Sequence, residues 1–486
     1  AEVRRTREEI DRRLEPVRAR FDILAASRVD DEIEPQAASK TDIDPTKLTS
    51  YERAQDVLEP FNTLHFPAAF PEVFMDGGGF DVIVGNPPWD KVRFEPQQFW
   101  VTRHPGLNKI PASRREDHMD ELREKYPHQA REEKREKKQR EQYQKYVKTS
   151  FEDQGRGHYD YAKLFVERAT NILNDEGELG YVLPRQSLVL SGWKKLRRRL
   201  IEGSEMTVLQ ARNRGGWLFE NVHHSYMIVL VTSVPNEDIG AHIWPAIEQE
   251  QAIDNISLSN SIYLSYEDLA NLTTENRLVI PWFDDSGARD VFPKMEQQAR
   301  LARDEGWITG KHDSRWDFTG SGPHSHLVYD GPEPNHWRVF MTRSVDQFKI
   351  NEEKEFRRFV DPEELYEEGR DLSKNPDVSF SFDHPTVTFR YVTMNDNTRT
   401  MIATMLPEQG FIYCKGYIHA IDHDGEATSE ELLALLAYLN SFTCDWWLRR
   451  IVDRHMNSPM TNNLPIPDWD DSQISRAADL AAELTR

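Results

Sequence analysis

The chain has 486 residues, 38% of them hydrophobic and 10% aromatic, which is enough for about three domains with real cores. No run approaches the ~18–20 apolar residues of a membrane-spanning helix. A formal net charge of −22 excludes a surface that holds nucleic acid indiscriminately, because such binding is neutralisation of phosphates by basic groups.

Residues 1–58 are charged and helical in spacing, with VRARFDILAASRV giving one apolar face. They begin with Ala and open inside a helical pattern, and are read as the remnant of an upstream region. The N-terminus lacks a signal-peptide core. Cys414 and Cys444 are the only cysteines, too few for a disulfide framework or a cysteine zinc site, so a reducing cytoplasm is the expected compartment. FNTLHFPAAFPEVF, Phe61 to Phe74, is an aromatic, proline-punctuated connector.

FDVIVGNPPWDKVRF, Phe80 to Phe94, is a short buried strand that stops abruptly. Pro87 and Pro88 forbid both a continuing strand and a helix. The chain is therefore a stiff turn at a strand's C-terminal end, where α/β sheets bind ligands. Arg103 to Lys148 is dense in charge and reads as a helical insertion. It is either a solvated face with i,i+4 ion pairs or a basic arm lying along a phosphate backbone.

HYDYAKLFVERATNIL is a helix, NDEGELGYVLP a turn and strand, SGWKKLRRRLIEG a basic-faced helix, MTVLQARN a strand, and Tyr226 to Val231 a strong strand. Strand, helix, strand, helix, strand, strand is the second half of a doubly wound α/β sheet. From about residue 236 the alternation is lost and irregular aromatic stretches begin. Within them, Glu431 to about Arg454 reads as one strong helix. The expected organisation is thus 1–58, a catalytic part 59–235 with its insertion near 103–148, and a separate mixed α+β domain 236–486.

The Asn86 side-chain carbonyl and the Pro87 backbone carbonyl are two acceptors suited to an exocyclic amine. Trp89 offers a flat face to a base that has left its duplex. Such a site works by positioning and electrostatic complementarity, without a tuned general base. FDVIVGNPPW resembles motif IV of the amino-methylating DNA methyltransferases, with Asn in first place implying adenine. HYDYAKLFVERATNILNDEGELGYVLP is similar to the family's following motifs. LFENVHHSYMIVLV resembles the later loop and strand that carry a second stacking aromatic, which that match assigns to Phe219. VTFRYVTMNDNTRTMIATMLP, LLAYLNSFTCDWWLRRIVD and NLPIPDW resemble the target-recognition domain of type IIG restriction-modification enzymes and related phage-defence methylases.

The resemblance implies a Rossmann-like sheet, S-adenosyl-L-methionine as cofactor, double-stranded DNA as partner, and a site of Asn86, Pro87, Pro88 and Trp89 with Phe219. Lys194, Lys195, Arg197 and Arg198 are candidate phosphate contacts or the exposed face of a sheet-covering helix. Asn395, Asn397 and Arg399 either read base edges or brace a loop. His223 and His224 lack a third ligand at suitable spacing, so no metal is expected.

The family's glycine-rich cofactor loop should precede NPPW, and none does. Gly77 to Gly79 runs straight into the NPPW strand, while Gly155–Arg156–Gly157 and Gly320–Ser321–Gly322 follow no apolar strand. The cofactor side is therefore expected from an upstream part of the same protein or from a partner chain. Two rival readings remain open: a recognition fragment or subunit without activity of its own, and an RNA or protein-amide methyltransferase.

Overall fold

The computed structural model describes residues 2–486 apart from 111, 156–158, 221, 223–225, 250–255, 258–260, 272–277, 284–286, 303, 310–315, 320–321, 352–357, 374–379, 394–396, 415–417, 424–425, 453–454 and 457. It forms two compact units, Ala1–Tyr266 and Glu267–Arg486. Among the described residues no helix is long and apolar enough to cross a membrane.

The first unit opens with helices α1 (Glu2–Ser27) and α2 (Thr49–Leu58). Ile23 and Ala26, one turn apart, meet Ile33, Ala54 and Leu58 in a small apolar cluster. The chain then enters strand β1 (Phe80–Gly85) through Gly79. A Cβ there would lie 2.6 Å from the backbone of Leu173 and Asn174, so only glycine lets the chain pass.

Five further strands complete a mixed sheet: β2 (Leu173–Pro184), β3 (Ser204–Arg212), β4 (Met227–Pro235), β5 (Gly240–Ile247) and β6 (Ile262–Ser265). Their order is β1-β2-β4-β3-β5-β6. The helix Tyr161–Ile172 carries the chain between the parallel pair β1 and β2, with Val84 opposite Gly180. The helix Lys194–Ile201 then leads into β3. β4 inserts antiparallel between β2 and β3, so the sheet is mixed, not purely parallel. Leu183, Met206, Val208, Ile228 and Val229 are buried within it.

The composition change near residue 236 does not end this sheet. β5 pairs in parallel with β3 and β6 antiparallel with β5. At the opposite edge β1 pairs only with β2 among the described residues. The strand expected to be buried is therefore an edge strand with no fully buried residue, and two of its apolar side chains, Val82 (56%) and Val84 (79%), stand exposed.

The charged run folds as two helices, Ala112–Lys125 and Pro127–Ser150. Pro127 sits at the first position of the second helix, where no N–H is needed. Arg123 joins the two by pairing with Glu133 at 2.8 Å, over a core of Phe99, Trp100, Leu107, Met119 and Leu122.

The second unit is mixed α+β. A four-stranded sheet runs Ala403–Leu406, Thr386–Arg390, Ile418–Asp422, Ile308–Thr309. A three-stranded one runs Phe359–Val360, Trp337–Phe340, Phe411–Tyr413. The single helix expected over Glu431–Arg454 is two, Ser429–Leu439 and Phe442–Ile451. The break has a local cause. The Ser441 hydroxyl accepts from Cys444 N at 3.1 Å, so Ser441 is an N-cap and starts a new helix.

Candidate nucleotide-base site

β1 delivers Asn-Pro-Pro-Trp to its C-terminal end. Asn86 and Pro88 are exposed, Pro87 is buried and Trp89 is half-buried. The segment just after Trp89 is tied down by backbone bonds. Tyr161 N donates to Asp90 O at 3.0 Å, and Val92 N donates to Tyr159 O at 2.9 Å. The Gln144 side-chain amide donates to Val92 O. Asp160 caps the following helix by accepting from Lys163 N at 2.9 Å. Burial raises its carboxyl above the usual range, and its place is structural. The prolines and these ties hold the Asn86 amide out from the sheet, and among the described residues its side chain has no hydrogen-bond partner.

A cleft of ≈ 660 Å³ runs along β1 to Asn86, Pro87 and Pro88 and is walled by Tyr143, Tyr146 and Phe165. Arg168 is the charged residue in its lining; its guanidinium donates to the Tyr146 hydroxyl at 3.3 Å and lies 5.1 Å from the Phe151 ring centre. Tyr181 lies under Gly85, where a Cβ would be 3.2 Å from its ring. Burial pushes Tyr143 and Tyr181 up to about 12, so both stay protonated at neutral pH and neither serves as a base.

The ring that the fold sets beside Trp89 is Tyr226, 6.5 Å between centroids at 39°. Tyr226 directly precedes β4 and is 49% exposed. Phe219 makes no ring contact with Trp89 among the described residues. It sits on the loop between β3 and β4, which one fully buried amide organises. Asn213 Nδ2 donates to Phe219 O and Val222 O, both at 2.9 Å. Asn213 Oδ1 accepts from Leu218 N at 3.1 Å and Phe219 N at 3.0 Å. Tyr226 lies within the run LFENVHHSYMIVLV, but its nearness to Trp89 depends on how β4 pairs with β2, which no local pattern reveals. The four bonds of Asn213 carry no sequence signal.

The basic helix Lys194–Ile201 is not an open phosphate-binding face. Arg197, 1% exposed, donates to Ser187 O and Leu190 O at 2.8 Å, which removes it from the candidate DNA contacts. Lys195 donates to Glu152 O at 3.0 Å and pairs with Asp153 at 3.1 Å. Arg199 shares that carboxylate, and together they hold it below the usual carboxylate range despite its burial. Arg198 pairs with Glu202 at 3.2 Å, and Lys194 also has a partner within the protein. Glu167, itself buried, fixes the receiving loop by accepting from Glu152 N at 2.8 Å and Gln154 Nε2 at 2.6 Å.

In the second unit, Asn397 donates to Thr393 Oγ1 at 3.4 Å and its carbonyl accepts from Arg449 at 2.7 Å. Arg399 donates to Asn440 O and lies 4.5 Å from the Phe442 ring centre. Both brace a loop. Asn395, His223, His224, Arg156, Gly157, Gly320 and Ser321 lie outside the described residues.

Among solved structures the chain is similar to the type IIG restriction endonuclease BpuSI (16% identity, 70% of this chain and 46% of that one, TM-score 0.30). It is also similar to a nuclease-deletion mutant of the Type ISP restriction-modification enzyme LlaGI in complex with a DNA substrate mimic (11%, 93% and 44%, TM-score 0.42). A third is the Type IIL restriction-modification enzyme MmeI in complex with DNA (11%, 67% and 44%, TM-score 0.35). The chain spans less than half the length of each. No curated protein matches it. In sequence, residues 21–109 and 127–211 match the Eco57I restriction-modification methylase family. That match takes in β1, the NPPW loop, the capped helix after it, β2 and nearly all of β3.

Proposed function

We propose that this chain is the base-holding and DNA-recognition part of a site-specific DNA adenine-N6 methyltransferase, acting in a restriction-modification or phage-defence system. The observation that carries this is Asn86, an exposed and unpartnered amide on a rigid loop beside a tilted aromatic pair. An extruded adenine stacks on Trp89, with Tyr226 as the nearer second ring and Phe219 on the clamped loop between β3 and β4. Its amino hydrogens are accepted by Asn86 Oδ1 and the Pro87 carbonyl. That orients the nitrogen lone pair and stabilises the charge that develops as it is methylated. The second unit is the target-recognition domain in this reading.

A methylase needs a methyl donor, and S-adenosyl-L-methionine is the donor proposed. The cleft beside Asn86 does not fit it alone: apart from Asn86 and Arg168 its lining is apolar and aromatic, and among the described residues it includes no acidic residue for a ribose. This chain's residues accordingly hold the base side, and the donor's main contacts come from another α/β segment. Calorimetric titration of the chain with S-adenosyl-L-methionine is expected to show no binding; micromolar binding would refute that division.

The function itself is tested in cells producing the full-length protein, by long-read sequencing for N6-methyladenine. A single methylated motif is expected. Asn86→Ala should abolish it while the purified variant retains duplex binding. Unmethylated genomes from the wild-type protein, or equal loss of binding and methylation in the variant, would overturn the reading.

A further inference from the structure

Two cations of the run Arg103–Lys148 are held by carboxylates of the run itself: Arg103 pairs with Glu136 at 3.1 Å, and Arg123 with Asp120, Glu116 and Glu133. The last turns of the helix Pro127–Ser150 differ. Glu141, Lys145 and Lys148 recur at i, i+4 and i+7 and share one face. Opposite them runs the segment leaving Trp89, with Val92 buried in the cluster of Val147, Phe151 and Leu164. Arg93 N donates to Lys91 O at 2.9 Å in a tight turn centred on the buried Val92, and Lys91 and Arg93 on either side of it are exposed.

These two faces enclose a groove of ≈ 500 Å³ lined by Lys91, Arg93, Lys145 and Lys148, with Gln144, Tyr159 and Glu141. Lys145 pairs with the exposed Asp31 at 2.7 Å and Arg93 with Glu95. Exposed pairs of this kind contribute only about 0–1 kcal/mol, so a phosphate can replace the carboxylate. Lys91 and Lys148 have no carboxylate partner among the described residues.

An extruded base stays attached to its strand through two phosphodiesters, so a loop that receives the base needs a seat for backbone close by. Lys91 lies two residues beyond Trp89, about 7 Å along an extended chain at ~3.3 Å per residue. A protein of net charge −22 can offer that seat only as a local patch, and the cations of the helix Lys194–Ile201 are already engaged. We propose that the groove walled by Lys91, Arg93, Lys145 and Lys148 seats the phosphodiester backbone of the DNA strand whose base is received at Asn86 and Trp89. The assignment rests on the base-holding function proposed above.

The test is fluorescence anisotropy of the full chain with a fluorescein-labelled 30-base-pair duplex of mixed sequence, titrated at several salt concentrations. The variants are Lys91→Gln/Lys148→Gln, the charge-keeping Lys91→Arg/Lys148→Arg, and a control, Lys137→Gln/Lys138→Gln, on exposed positions of the same helix. Each phosphate contact contributes about 0.9 to the slope of log affinity against log salt. The groove variant should be shallower by about 1.8, with the Arg variant and the control close to wild type. A groove variant with the wild-type slope, or a control that loses as much, overturns the groove and leaves DNA as the partner. A wild-type chain that binds no duplex at any salt overturns both. Circular dichroism of each variant separates lost contact from lost fold.

Discussion

Replacing Asn213 by Ala tests whether one amide sets the conformation of the aromatic loop after β3. The substitution removes two donors from Phe219 O and Val222 O and one acceptor shared by Leu218 N and Phe219 N. At roughly 0.5–1.5 kcal/mol net per hydrogen bond, four bonds are worth about 2–6 kcal/mol. The loop is only half-buried, so water recovers part of this, and a loss of about 2–4 kcal/mol is expected. Most of it should appear as local opening, because β3 and β4 are held to each other by their own ladder. The assay is amide hydrogen exchange resolved at Leu218 and Phe219, with urea unfolding in parallel. Exchange should accelerate about tenfold or more, tenfold being 1.4 kcal/mol. Asn213→Asp keeps acceptors for both amides and should protect them better than Ala does. Unchanged exchange in the Ala variant would refute the clamp.

Tyr226→Ala should reduce genomic methylation more than Phe219→Ala, since stacking on an aromatic is worth about 1–3 kcal/mol per base; the reverse order would return the second ring to Phe219. In the second unit, Glu296 accepts from Trp447 Nε1 at 2.5 Å and pairs with Arg300 at 3.0 Å. Burial pushes its carboxyl up to about 7 against those partners. The folded state therefore keeps a proton that the unfolded chain releases near 4.5. The stability this group contributes falls as pH rises from about 4.5 to about 7 and is level above that. Glu296→Gln should gain on wild type as urea midpoints are followed from pH 5 to 8, whatever its absolute stability; parallel curves would refute this.

What could be read from the sequence was local. The strand at Phe80, its two-proline stop and the order of elements up to β4 follow from short apolar runs and from proline's missing N–H. What could not be read depends on residues far apart in the chain. Arg199 and Lys195 show their charge in sequence, but Asp153, which takes both, lies more than forty positions earlier. Trp89 meets Tyr226 and not Phe219 because β4 inserts antiparallel beside β2. The break between Leu439 and Phe442 was legible in principle, as a Ser that can cap, but the surrounding apolar periodicity masked it.

The outer edge of β1, which no other strand joins among the described residues, has a consequence for assembly. A strand that hydrogen-bonds along that edge joins the same backbone that ends in Asn86, so its register becomes a ruler. Sliding the newcomer by one residue turns its side chains to the wrong face, and the next allowed position is two residues away, about 6.6 Å. The separation between whatever the newcomer carries and the Asn86 amide can therefore take only widely spaced values. An incoming methyl group would be either within bonding reach of its acceptor or plainly out of it, with no half-aligned state between.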